Sequence, residues 1–565
     1  MTTFKDYEYK KPDLAATKSK FHKLLEEFKA AKTVEEQSAV ISAINELRNN
    51  FSTQSTLVEI RASIDTNNEF YQKERDYFDE INPEMDDLVT EYYKALTTSA
   101  FKQELQEKWG QQLFDLAEYQ IKSFSPELIS LMQKENKLTS EYSKLVASAQ
   151  IDFNGEVLTL AQLGPYGEST NAETRKKAKE ASFGFFKENE AKFDEIYDEL
   201  VKVRHEMAVK LGYKNFVELG YIQMNRIDYN AEMVKKFRDQ VRDYIVPVAN
   251  KLYERQAKRI GVDKLKYQDE GLNFLTGNAT PKGTPEWIVE NGKKMYEELS
   301  PETAEFFNFM IDNDLMDLVA KKGKEGGGYC TFIDDYESPF IFSNFNGTSG
   351  DIDVLTHEAG HAFQVYTSRN IGIPEYIWPT FESCEIHSMS MEFFTWPWME
   401  LFFKEDTDKY KFAHLSGALL FLPYGVAVDE FQHVVYENPE MTPADRKAAW
   451  KKIEEIYLPH RDYDGIEYVE QGGFWQRQAH IYASPFYYID YTLAQICAFQ
   501  FWKRSRENHE EAWADYIHLC QLGGSQSFTN LVAEANLVSP FEEGCVESVI
   551  DSIEEYLNSV EDDKL

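Results

Sequence analysis

The sequence predicts a mostly α-helical protein, and three observations carry that expectation. Apolar residues recur at helical spacing: Phe21, Leu24, Leu25 and Phe28 follow it, as do Leu88, Tyr92 and Leu96. Two starts are written out locally, because Thr284-Pro285-Glu286 and Ser300-Pro301-Glu302 each set a capping hydroxyl before a proline and an acid in the first turn. Strand signals, by contrast, are few. Residues 152–160 (DFNGEVLTL) read as a short hairpin turning at Asn154-Gly155. A second strand candidate, 326–348, surrounds Glu337-Ser338-Pro339 with apolar and aromatic residues. Between the two Pro-marked starts, 291–299 carries Gly292 and ends in polar residues, as an inter-helix turn would.

Composition narrows the class. Aromatic residues make up 14% of the chain, enough to bury surface that offsets ordering entropy, so disorder is excluded. A net charge of −37, with 97 acidic residues against 60 basic ones, opposes nucleic acid and anionic membrane surfaces, which need a cationic face. The cysteines at 330, 384, 497, 520 and 545 are odd in number and lack a CxxC spacing, so a disulfide framework is not expected. The opening MTTFKDYEYKKPDLA has no apolar core, and the longest apolar run, near 417–428, is broken by Pro423. The expectation is a cytoplasmic protein with reduced thiols and no membrane partner. GKEGGG at 323–328 is the most flexible-looking stretch, and it is not a phosphate loop because no Lys-Ser/Thr follows.

One motif carries chemistry. Residues 353–365 read DVLTHEAGHAFQV, and a helix over 354–366 projects His357 and His361 from one face, close enough to share an ion. Glu358 lies one position round, where it can take a proton from a water beside the metal. Two neutral imidazoles suit zinc. By chance alone a chain this long contains such a pentad in roughly one or two cases in a hundred, so context decides. Val354, Leu355, Ala362, Phe363 and Val365 make the helix a buried one, and Gly360, unfavourable in a helix, implies close approach of another backbone.

A catalytic zinc needs a third protein ligand. Downstream, FESCEIHSMSMEFF (381–394) offers Glu382, Glu385, His387 and Glu392, and spacing alone leaves the choice open. HEAGHAFQ followed by CEIHSMSME, with 385 − 361 = 24 residues between ligands, resembles the thimet oligopeptidase family of zinc metallopeptidases, in particular its oligoendopeptidase F (Pz-peptidase) branch. That resemblance selects Glu385 through the pattern Glu385, Ser388, Glu392. FSNFNGTSGDIDVLTHE (342–358) is also similar to the branch, where the segment forms an edge strand beside the bound peptide. HIYASPFYYIDYTLAQ (480–495) resembles a further branch pattern, with Ile489 and Thr492 departing from it. GYKNFVEL (212–219) fits the branch as well.

The resemblance implies a two-lobed helical body with a deep channel and a small sheet beside the active site. A helical N-terminal region is expected over 1–190 and the zinc peptidase region over 191–565. One zinc ion per chain would sit on His357, His361 and Glu385. Glu358 would be the general base, His480 and Tyr487 would stabilise the oxyanion, and Tyr482 and Tyr491 would touch substrate. The other histidines, His387 and His414 among them, read as structural or exposed. The expected function is endoproteolysis of short unstructured peptides. The alternatives are a zinc carboxypeptidase or dipeptidyl carboxypeptidase, an inactive peptide-binding protein, or a helical scaffold with an accidental motif. A peptide with an amidated C-terminus separates the first of these from an endopeptidase, which still cuts it.

Overall fold

A computed structural model describes residues 2–565. Helices hold 72% of the residues, and two small sheets complete the fold, as a mostly α class requires. Local chemistry starts the helices: Asp13, Thr33, Asn68, Thr284 and Ser300 each accept a backbone N–H from the first turn. Phe21, Leu25 and Phe28 are buried on Leu14–Ala30, and Leu88, Tyr92 and Leu96 on Glu69–Thr97.

These N-terminal helices enclose an apolar core of their own, running from Phe21 to Ala117. It is joined by one buried residue from far along the chain, Tyr376, whose hydroxyl accepts the Leu113 N–H and donates to the Trp109 carbonyl, both at 2.9 Å. A larger core gathers Gly350–Ser368, Phe381–Phe394, Thr407–Glu437 and Tyr488–Glu507. The Glu400–Glu437 stretch is long and apolar enough to cross a membrane by length and composition, but 61% of its apolar window is buried inside the fold.

The hairpin forms as expected, with β1 (Ile151–Phe153) antiparallel to β2 (Glu156–Leu158). Asn154 and Gly155 have φ of 52° and 84°, the sign a tight hairpin turn requires at both positions. The second sheet contains β3 (Met316–Val319), β4 (Tyr329–Ile333) and β5 (Ser338–Phe345) in the order β3-β5-β4. β5 runs antiparallel to β4 and parallel to β3. β3, the four residues MDLV, is too short to give a periodic signal.

Four expectations need correction. Residues 291–299 are not a turn but the second half of helix Pro285–Leu299, where Gly292 is buried against Phe307 and Leu355. The apolar run near 417–428 is not broken at Pro423, which sits inside helix Thr407–Glu437 among buried residues whose packing outweighs the lost hydrogen bond. The motif helix spans Gly350–Ser368, longer than 354–366. Finally, 342–345 is not an edge. β5 is paired on both sides, and the outer edges belong to β3 and β4, of which β4 borders the site cavity.

Candidate active site

The motif helix begins with Asp351, whose carboxylate accepts the backbone N–H groups of Asn346 and Gly347 at 2.8 Å each, fixing its entry beside β5. One turn separates His357 from His361, and their ring centroids lie 5.1 Å apart. A second helix, Phe381–Phe394, crosses it at Gly360. A Cβ on Gly360 would lie 2.6 Å from the His387 carbonyl oxygen and 2.6 Å from Ser388 Cα, so only hydrogen fits. That backbone contact brings Glu385 against the histidines.

Glu385 Oε2 stands 3.1 Å from His357 Nε2 and 3.4 Å from His361 Nε2. Ser388 Oγ donates to the same oxygen at 2.8 Å, and the Tyr487 hydroxyl donates to Oε1 at 2.5 Å. The three candidate ligand atoms lie within 4.8 Å of one another. Two imidazole nitrogens aimed at one buried carboxylate require positive charge among them, either as a proton or as a cation. Burial would raise the Glu385 pKa, but His361 and His357 hold it well below the usual carboxylate range. Burial would likewise lower that of His357, but Glu385 and Glu392 hold its proton well above the usual range. A nitrogen–nitrogen–oxygen set of this kind fits a divalent cation of borderline softness.

Behind the ligands runs a hydrogen-bonded relay. His357 Nδ1 meets Glu392 Oε1 at 2.7 Å, and Glu392 Oε2 meets His414 Nε2 at 2.7 Å. Trp396 Nε1, which can only donate, gives its proton to His414 Nδ1 at 3.0 Å. His414 therefore carries its proton on Nε2 and donates to Glu392. Glu392 in turn accepts from His357 Nδ1, so that Nε2 is the nitrogen a cation would meet. His414 was read from sequence as merely structural. No local spacing announces it, because it lies on the long helix Thr407–Glu437 and meets Glu392 only in three dimensions.

Glu358 is buried beside the histidines, and its Oε2 has no partner. Burial raises its proton affinity even though His357 and His361 oppose the shift. His387, by contrast, turns away from the site. It is fully buried with neither ring nitrogen paired, and burial pushes its pKa down to about 3.

The facing wall comes from 474–491. Phe486, a non-glycine residue at φ 65°, is anchored there by its N–H to Gln432 Oε1 at 2.8 Å, and the bend turns the following tyrosines inward. His480 Nδ1 accepts from Gln478 Nε2 at 2.8 Å, and its Nε2 lies 3.0 Å from the Tyr491 hydroxyl. Burial pushes the His480 pKa down to about 4, so the ring is neutral at pH 7 with its proton on Nε2. Tyr482 does not join them. Contrary to expectation it is fully buried, stacked on Tyr142 and donating to the Phe193 carbonyl at 3.3 Å, so it offers nothing to a substrate. Ile489 is also fully buried, which makes that departure from the branch pattern a matter of core packing.

Both walls line a cavity of about 560 Å³. Its rim takes Trp378 and Phe381, the start of β4 at Gly328–Thr331, and Gln112 and Leu116 from the N-terminal helices. The five cysteines are all unpaired.

Comparison with known proteins agrees with this geometry. Residues 4–124 match the Peptidase M3 N-terminal domain and residues 296–549 match Peptidase family M3. An oligoendopeptidase F homologue of Borreliella burgdorferi is 26% identical over 423 residues, covering 70% of this chain and 69% of its own. A solved Pz peptidase A with an inhibitor is 65% identical, covers 99% of this chain and 100% of its own, and superposes with a TM-score of 0.99. A Bacillus anthracis structure assigned as an oligoendopeptidase F is 61% identical with full coverage of both chains and a TM-score of 0.95. With a catalytic-family match over the motif and full-length likeness at this identity, the chain belongs to peptidase family M3, within its oligoendopeptidase F and Pz-peptidase group.

Proposed function

We propose that this peptidase cuts internal bonds of short, extended peptides with one zinc ion held by His357, His361 and Glu385, and with Glu358 as the general base. The observation that carries the reading is the convergence of two imidazoles and a buried carboxylate beside an unpartnered Glu358, all on one cavity. A bound zinc ion would supply Lewis acidity, acidifying a water and polarising a carbonyl. Glu358 takes the proton of the attacking water and returns it to the leaving amine; its raised proton affinity suits both transfers. His480 and Tyr491, neutral donors on the facing wall, stabilise the developing oxyanion. The Tyr487 hydroxyl is engaged by Glu385, so its first role is to hold that ligand.

The free edge of β4 offers unpaired main-chain groups to a peptide laid along it, which favours extended substrates over folded ones. Five free thiols support a cytoplasmic setting. The test is metal analysis together with hydrolysis of a quenched-fluorescence peptide, on the wild type and on Glu358→Gln. Equal metal content and a loss of turnover of about 10²- to 10⁴-fold are expected for the variant. A thoroughly chelated wild type that keeps full activity would sink the reading.

A further inference from the structure

His480 lines three chambers: the site cavity, a space of about 540 Å³ beside Glu392 and His414, and a third. That third space, of about 480 Å³, adjoins the site cavity at His480 and at the loop 325–328, and its charged lining is one-sided. Its only carboxylate, Glu325, is neutralised by an ion pair with Arg75. Its cations, Arg477 and Lys179, have no carboxylate within 4.0 Å among the described residues. Both instead rest on one side chain: Arg477 Nη1 donates to the Tyr267 hydroxyl at 2.9 Å, and Lys179 Nζ sits 5.3 Å above its ring centre. Most of the Arg477 fork is left open to the chamber, and the residue is exposed although it lies deep in the protein.

The field there is positive. Burial should raise the Tyr267 pKa, yet Arg477, Lys179 and Arg461 bring it below the usual value, whereas Tyr487 and Tyr491 nearby are pushed up. In a chain with a net charge of −37, two cations without a carboxylate partner in a chamber that adjoins the site cavity call for an anion. The one anion that every linear peptide carries, whatever its sequence, is its terminal carboxylate, and a planar guanidinium matches it bidentately.

Resting on the peptidase reading above, we infer that Arg477 and Lys179 form a subsite that takes the terminal carboxylate of the bound peptide and so sets the distance from cut to C-terminus. Arg477 precedes His480 by three residues, a separation of at most about 11 Å, so the carboxylate falls roughly two to four residues from the bond at which His480 acts. The device is a length ruler built into the channel.

Two quenched-fluorescence peptides identical except for a free or amidated C-terminus test it, by hydrolysis with the zinc-loaded wild type and by calorimetric binding to zinc-loaded Glu358→Gln. The amide is still cut, but with kcat/KM lower by about 10- to 100-fold, mainly through KM. Arg477→Gln and Lys179→Gln reduce the acid-to-amide ratio towards one. Equal handling of acid and amide by the wild type, or an undiminished ratio in both variants, overturns the subsite. Full rescue of the amide by a glutamate at its last position overturns the terminal assignment in favour of side-chain carboxylates. Absence of any hydrolysis by the wild type, with the acid still binding better than the amide, sinks the peptidase mechanism and leaves the subsite standing.

Discussion

The two walls of the cavity are built on different principles. The metal wall is a crossing of two regular helices, and its geometry descends from i, i+4 spacing and a main-chain contact at Gly360. The facing wall is a series of short turns, Phe474–Arg477 and Ala479–Ala483, leading through the bend at Phe486 into Tyr488–Glu507. There a chain of side chains, Tyr424 to Gln478 to His480 to Tyr491, positions the donors. A cation tolerates little error in its ligands, whereas donors that follow a substrate through its transition state gain from hydrogen bonds that can lengthen and shorten. Each wall has the construction its task demands.

The largest effects should come from breaking the metal wall. Glu385→Gln removes the one charged ligand, and metal affinity measured by chelator competition should fall by more than about 100-fold; unchanged affinity would mean that Glu385 is not a ligand. On the facing wall, Tyr491→Phe should lower kcat by about 100-fold with metal content unchanged, as expected for loss of one oxyanion donor. Tyr487→Phe should act differently, weakening metal retention more than kcat, because its hydroxyl lies on Glu385. If the two variants behave alike, the division between the walls fails.

Smaller effects sharpen the contrast. His414→Ala should weaken metal binding by about 10-fold through Glu392 while leaving peptide KM unchanged. Gly360→Ala should cost about 1–3 kcal/mol of stability, read from denaturant midpoints, because its methyl group meets backbone that cannot yield. The smallest is a pH effect at Asp86, whose pKa burial pushes up to about 7. Its folded pKa exceeds the unfolded value near 3.8, so its contribution to stability is full below about pH 4 and disappears as pH rises through 7. Asp86→Asn should therefore gain melting temperature over the wild type as pH goes from 5 to 8. Parallel curves would show the carboxyl to be solvated.

Legibility followed the same divide. HEAGH placed His357, Glu358 and His361 from spacing alone, and the cost of Gly360 in a helix pointed to the backbone that presses on it. The choice of Glu385 over Glu382, His387 and Glu392 required the family pattern, since four acids and imidazoles on one helix share no distinguishing period. His414, Arg477 and Lys179 were invisible because each acquires its meaning from a residue more than 15 positions away or from the shape of a chamber. Tyr482 misled, since an aromatic beside functional aromatics has the same local pattern whether it faces the core or the channel. The misread segment 342–345 had the composition of a strand, but whether a strand is an edge depends on its neighbours, and β3 was too short to be seen.

The contact at Gly360 has one further consequence. Because main chain presses on main chain, the separation between the imidazoles and Glu385 is an inheritance of the fold. A receptacle whose spacing the backbone sets lets one divalent ion replace another without any refolding step. Which metal occupies it in a living cell is then decided by supply and relative affinity, on the timescale of ion exchange.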